Sequence, residues 1–148
     1  MTNPAELVEE LEIAAPPARV FEALVQPEQL RRWWGSDAMY RTTWVVDLRV
    51  GGEFICLATA PGAPEMTVRG RFLAVDPPRH LAYTWNASWD DSGETRVDYS
   101  LLPTPRGTLV RVTQTGFGSD ADRAGYREGW TRILVWLNDW ITLTPAES

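Results

Sequence analysis

The segment from Ser119 to Pro145 closes the chain on a helical period, after a hundred residues in which the hydrophobic period is mostly two. Ser119 followed by Asp120 and Asp122 makes an N-cap with acidic residues in the first turn, where negative charge suits the helix dipole, and Pro145 marks the far limit. About 23 residues at ~1.5 Å each predict a helix on the order of 35 Å long, the width of a small sheet. At ~100° per residue, Tyr126, Trp130, Ile133, Leu134, Trp136, Leu137, Trp140 and Ile141 fall within an arc of roughly 160°. Glu128, Thr131, Arg132, Asn138 and Asp139 take the rest, with Val135 the apolar exception. A stripe that holds three of the chain's eight tryptophans must lie along something broad and apolar.

The strands supply it. Leu7, Leu11 and Ile13 alternate with polar residues as a half-buried strand requires, and Pro16 and Pro17 end that run. ARVFEALV has the spacing of a short helix with Val20, Phe21 and Leu24 inward, and Pro27 opens a second, PEQLRRWW, which Gly35 stops. Six runs of period two follow: TTWVVDLRV, GGEFICLAT, MTVRGRFLAV, HLAYTWNAS, ETRVDYSLL and TLVRVTQT. Their short connections, such as the Gly51–Gly52 pair, imply antiparallel neighbours. Alternation gathers Trp44, Val46 and Leu48, then Phe54, Cys56 and Ala58, then Phe72, Leu81, Tyr83, Trp85, Val97, Tyr99, Leu101, Val110 and Val112 on one face. Glu53, Arg69, Arg71, Arg96, Asp98 and Arg111 take the other. The expected architecture is α+β: about seven antiparallel strands in one sheet curved around the long C-terminal helix, with two short helices after strand 1 closing one end.

Length and charge narrow the function classes. A chain of 148 residues is expected to form one domain spanning residues 1–148. A net charge of −6, with no basic cluster larger than Arg31 and Arg32, argues against nucleic acid and against an anionic membrane as partners. All fourteen cationic side chains are Arg, which removes Schiff-base chemistry. One histidine and one cysteine make a transition-metal site an unfavourable reading, and no glycine loop suits a phosphate, so neither metal nor cofactor is expected. The first residues, MTNPAELVEE, hold no basic region followed by an apolar run, and a lone cysteine forms no internal disulfide; a cytoplasmic protein is expected.

A catalytic constellation is hard to find. Asp47, Glu53 and Asp98 fall on the outer face, and His80 after Pro77, Pro78 and Arg79 is expected to cap a turn in water. Cys56 lies among inward residues with no base in sight, as a small hydrophobe does. Large rings on a sheet and on the helix facing it hold the two layers apart, and space that their neighbours leave unfilled suits an apolar ligand. The expected lining is Trp34, Trp44, Phe54, Cys56, Phe72, Tyr83, Trp85, Tyr99, Trp130 and Leu134, with tyrosine hydroxyls and indole N–H groups to orient a guest. Gly125 and Gly129 each cost about 1 kcal/mol relative to Ala inside a helix. Close packing against a strand or the short helices is the preferred explanation, and a notch that admits ligand is the other.

The motifs PARVFEALVQPEQLRRWWG, DLRVGGEF, PRHLAYTW and GFGSDADRAGYREGWTRILVWL, in that order, resemble the bacterial homologues of the activator of the cytosolic heat-shock chaperone ATPase. These belong to the START-like helix-grip (SRPBCC) superfamily. The resemblance implies a sheet wrapped around a long helix with a deep apolar cavity between them. In that superfamily such cavities bind lipids, hormones and polyketides, and some members cyclise or hydrolyse them. Three readings follow. The preferred one is a non-catalytic binding module for a small hydrophobic molecule. A second is a cofactor-free cyclase or hydrolase working through Tyr83 and Tyr99. The third is a chaperone-associated protein, although eukaryotic activators carry a further N-terminal domain and this chain is expected to lack it. An exposed Trp89 or Trp136 would mark a homodimer patch.

Overall fold

The computed structural model describes residues 6–90 and 92–143. Strand β1 (Glu6–Ile13) is followed by two short helices, α1 (Pro17–Val25) and α2 (Pro27–Trp33), each with a proline in its first turn where the missing N–H has no intrahelical partner to lose. Six strands come next: β2 (Arg41–Val46), β3 (Glu53–Thr59), β4 (Met66–Asp76), β5 (His80–Ala87), β6 (Glu94–Thr104) and β7 (Gly107–Thr115). The long helix α3 (Asp120–Leu143) ends the described chain. Its start is as expected, because the Asp122 N–H donates to Ser119 Oγ at 3.1 Å, while Pro145 lies outside the described residues.

All seven strands form one antiparallel sheet in the order β1-β7-β6-β5-β4-β3-β2. From β2 to β7 it is a meander, as the short connections demand, and β1 closes the far edge against β7. One face is covered by the three helices. Val20, Phe21 and Leu24 from α1, Leu30 and Trp33 from α2, and Trp130, Ile133, Leu134, Leu137 and Ile141 from α3 join the inward residues of the sheet in one core cluster. Indole N–H groups tie the helices together: Trp33 donates to the Ala23 carbonyl at 2.8 Å, and Trp140 to Gln29 Oε1 at 3.1 Å. Val135 is exposed, as its place off the stripe requires. No helix among the described residues is long and apolar enough to cross a membrane.

Two local readings are corrected. Leu48 is not inward: β2 stops at Val46, and Asp47 to Gly52 form a tight turn held by Arg49 N to Asp47 O at 2.9 Å and Gly52 N to Arg49 O at 2.8 Å. The apolar alternation runs on into that turn, which puts Leu48 and Val50 in solvent. His80 is not in a water-facing turn. It begins β5 on the outer face, with Nε2 2.9 Å from Asp98 Oδ1, and Asp98 also accepts from Arg96 at 2.8 Å. Burial alone would raise the Asp98 pKa, but the Arg96 and His80 hydrogen bonds and charges outweigh it and hold the carboxyl below its ordinary range.

Candidate functional site

Inward side chains shrink along β3. On β3 the series is Phe54, Cys56, Ala58, and beside it on β4 Gly70, Val68 and Met66 stand opposite these three. The first half of α3 faces this end of the sheet with two glycines, Gly125 and Gly129. Small residues on both layers leave a cavity of about 370 Å³, open to solvent past the exposed Gly125 and Trp89. That volume sits at the lower end of the ~300–1,000 Å³ range of small-molecule sites.

Three buried indoles wall its deep end: Trp34 just beyond α2, Trp85 on β5 and Trp130 on α3 are 4%, 4% and 1% exposed. They pack on one another, Trp34 stacked on Trp85 with centroids 6.0 Å apart and tilted by 23°, and Trp130 5.7 Å from Trp34 and 6.2 Å from Trp85. Hydrogen bonds pin two of them. Trp130 Nε1 donates to Gln114 Oε1 at 2.7 Å, Gln114 Nε2 donates to Thr95 Oγ1 at 2.9 Å, and Thr95 donates to the Trp85 carbonyl at 3.2 Å. Trp85 Nε1 donates to the Tyr126 hydroxyl at 3.0 Å, which in turn donates to Asp90. Both N–H groups are therefore occupied within the protein, and Trp85 and Trp130 offer a guest π-faces rather than donors.

Polar groups sit at opposite ends. Asp90, Asp122 and Tyr126 stand near the start of α3, with Asp90 accepting from the Ser92 N–H at 2.9 Å and Asp122 from the Ser92 hydroxyl. Burial first, and the Asp90 carboxylate second, push the Tyr126 pKa up, so it remains a phenol. Toward the middle of α3 the lining holds Tyr40 and Arg132. Burial raises the Tyr40 pKa against the opposing effect of the Arg132 charge. Burial pushes the Cys56 thiol up to about 12, so this cavity-lining sulfur is no nucleophile at neutral pH. Among the described residues, no three His, Cys, Asp or Glu side chains gather as metal ligands would.

The family model described as "Activator of Hsp90 ATPase homolog 1-like protein" (AHSA1) matches residues 14–141. The chain belongs to this family. Among solved structures, an AHSA1-family chain of this kind is similar to a protein of Mesorhizobium loti at 30% identity and a TM-score of 0.76, with 95% of this chain and 98% of that one covered. A protein of Chromobacterium violaceum is 25% identical with a TM-score of 0.81, over 93% of this chain and 98% of that one. The AHSA1-like protein of Aeromonas hydrophila is 25% identical with a TM-score of 0.79, covering 97% of each chain. No curated protein matches the sequence. The START-like α+β fold expected of the AHSA1 family is the one described above.

Of the ten side chains expected to line the cavity of this AHSA1-family protein, Trp34, Cys56, Trp85 and Trp130 do so. Trp44, Phe54, Phe72 and Tyr83 instead surround a void of about 10 Å³, room for roughly one water. Leu134 and Tyr99 are buried in the core, and Tyr99 packs edge-on to Trp130 at 5.9 Å. The Tyr83 and Tyr99 hydroxyls are 2.8 Å apart and satisfy each other, so they do not reach the cavity as the cyclase or hydrolase reading required. The preferred account of Gly125 and Gly129 also fails. A Cβ at Gly125 would meet nothing within 4 Å, and one at Gly129 only Arg132 Nη2 at 4.0 Å, so neither glycine is there for close packing.

Sequence reasoning missed Tyr40, Met66, Trp89, Asp90, Tyr126 and Arg132. Tyr126 was visible on the apolar stripe, and the two glycines beside it were the signal that this part of the helix faces space. Trp89 lies at the cavity's open edge, edge-on to Trp85 at 6.4 Å, while Trp136 is half-buried and edge-on to Tyr40 at 5.8 Å rather than exposed.

Proposed function

We propose that the protein binds a small, flat, hydrophobic or aromatic molecule in the cavity between β3–β5 and the first half of α3. The observation that carries this reading is the cavity of about 370 Å³ ending on three mutually packed indoles, two of them fixed by their N–H hydrogen bonds. Rings held this firmly lose little further freedom when a guest stacks on them, which is the condition for binding without a large ordering penalty. The family's name points to a chaperone partner, but an interior cavity favours a small molecule over a protein surface.

The test uses the neutral fluorescent probe N-phenyl-1-naphthylamine. With about 17 non-hydrogen atoms at ~0.3 kcal/mol or better each, its Kd should be on the order of 100 µM or tighter. The wild-type chain should show a saturable, one-site rise in probe emission. Gly125→Leu, whose Cβ meets nothing within 4 Å, should weaken binding at least tenfold while the chain stays folded by circular dichroism. Absent binding, or binding indifferent to Leu at this position, would overturn the proposal.

A further inference from the structure

We propose that the molecule bound is a monoanion, a flat apolar carboxylic acid whose carboxylate is held by Arg132 while its ring system lies against Trp34, Trp85 and Trp130. This inference rests on the binding reading above and adds the ligand's charge and orientation.

Among the described residues, Arg132 is the only cationic side chain lining the cavity. Nine of the fourteen arginines have, among the described residues, a carboxylate within ion-pair distance, and Arg132 is not one of them. Arg32, Arg69 and Arg106 also lack such a partner among the described residues, but they are exposed, and Arg19 donates to Gln29. Arg132 differs from all of these because it is half-buried and its Nε is enclosed with no hydrogen-bond partner. An atom so enclosed leaves no room for a ligand oxygen, so an anion is met by the terminal nitrogens, of which Nη2 lies beside Gly129 in the cavity lining. The acceptor that suits two guanidinium nitrogens together is a carboxylate, whose two oxygens match the fork of the terminal pair.

The surroundings hold that fork in place. Its central carbon sits 5.6 Å from the Trp136 ring centroid, so the indole fixes the guanidinium from one side without using its N–H edges. Gly129 has no side chain to exclude the terminal nitrogen, which lies 4.0 Å from where a Cβ would stand. Tyr40 lies beside Arg132 and is kept a phenol by burial, which supplies a second donor for an anion.

The far end of the cavity sets direction. Asp90 and Asp122 line it, but each already accepts hydrogen bonds from Ser92 or Tyr126. Asp122 precedes Arg132 by ten residues of one helix, roughly 15 Å along the axis. An acid therefore enters with its carboxylate toward Arg132, and a second negative charge at its other end meets two carboxylates. The site selects one charge, at one end.

The experiment compares 2-naphthoate with its uncharged isostere 2-naphthamide by isothermal titration calorimetry at neutral pH, on the wild type, Arg132→Gln and Arg132→Lys. Wild type should bind 2-naphthoate at least tenfold more tightly than the amide. Arg132→Gln should abolish that preference and leave amide affinity within about threefold, and Arg132→Lys should keep a reduced preference; melting curves confirm that both variants are folded. Equal affinity for acid and amide in the wild type, or a preference that survives Arg132→Gln, would overturn the anion assignment while leaving the binding site intact. Failure of both compounds and of N-phenyl-1-naphthylamine to bind would overturn the binding reading itself, and this inference with it.

Discussion

The space between sheet and helices is solid at one end and hollow at the other, though the same strands run through both. At the solid end Phe54 packs on Tyr83 with ring centroids 4.8 Å apart, on Phe72 at 5.8 Å and on Trp44 at 5.9 Å. It even takes the place of a neighbour's side chain, since a Cβ on the opposed Gly70 would lie 2.2 Å from its ring. Two residues along β3 the inward positions are Cys56 and Ala58, and the helix opposite offers Gly125 and Gly129. The rings of the two layers do meet in the middle; what makes the cavity is the fall in side-chain size along β3 opposite the two glycines of α3. One interior thus serves two ends, a core that holds the layers together and a space they enclose.

The comparison breaks first at Phe54. Phe54→Ala at the solid end should destabilise by ~3–5 kcal/mol, because the close-packed surroundings cannot collapse onto the void. A melting-temperature drop of roughly 6 °C or more is expected for a chain of this size. The same truncation at the hollow end, Met66→Ala, removes a half-exposed side chain that borders space and should cost well under ~2 kcal/mol. Equal losses at the two positions would mean that the division into solid and hollow ends has no energetic content.

Next in size is the boundary between them, where Gln114 is completely buried and accepts from Trp130 Nε1. Gln114→Leu keeps the volume but strands the indole N–H and takes one donor from Thr95 Oγ1, at about 1–3 kcal/mol. Near-ultraviolet circular dichroism should lose intensity with it, since the indole that walls the cavity would no longer be pinned. An unchanged spectrum and melting point would show that packing alone orients Trp130.

How much of this was legible follows from which residues carry it. Strand identity and the inward face were readable because period-two alternation is enforced wherever one face is buried, and the helix stripe because Tyr126, Trp130, Ile133, Leu137 and Trp140 obey the other period. The place of the cavity was not readable. Alternation says that Phe54 and Cys56 point the same way, but not which of the two has a partner across the gap. That depends on the offset of α3 along the strands, which is a tertiary quantity. Arg132 was counted with the polar arc for the same reason, since a guanidinium at the edge of a stripe reaches into a cavity only when the element opposite leaves room. Gln114 was invisible as well, because nothing in its flanks of threonines distinguishes a buried amide from a surface one.

The smallest expected effect discriminates most sharply, because its two readouts move in opposite directions. A glycine inside a helix is less favourable than alanine by about 1 kcal/mol, and Gly125 adopts no positive φ and meets nothing within 4 Å that a methyl would disturb. Gly125→Ala should therefore raise stability by up to ~1 kcal/mol, a melting-temperature gain of roughly 2–4 °C. The methyl projects beside the cavity's open edge, so N-phenyl-1-naphthylamine should bind a few-fold more weakly to the more stable chain. Stability gained with affinity lost would identify open space as what this glycine provides. Stability gained with affinity unchanged would place the ligand deeper, against Trp34, Trp85 and Trp130 alone. A loss of stability would mean that the methyl meets a contact at this position after all, and the hollow end would have to be redrawn without Gly125.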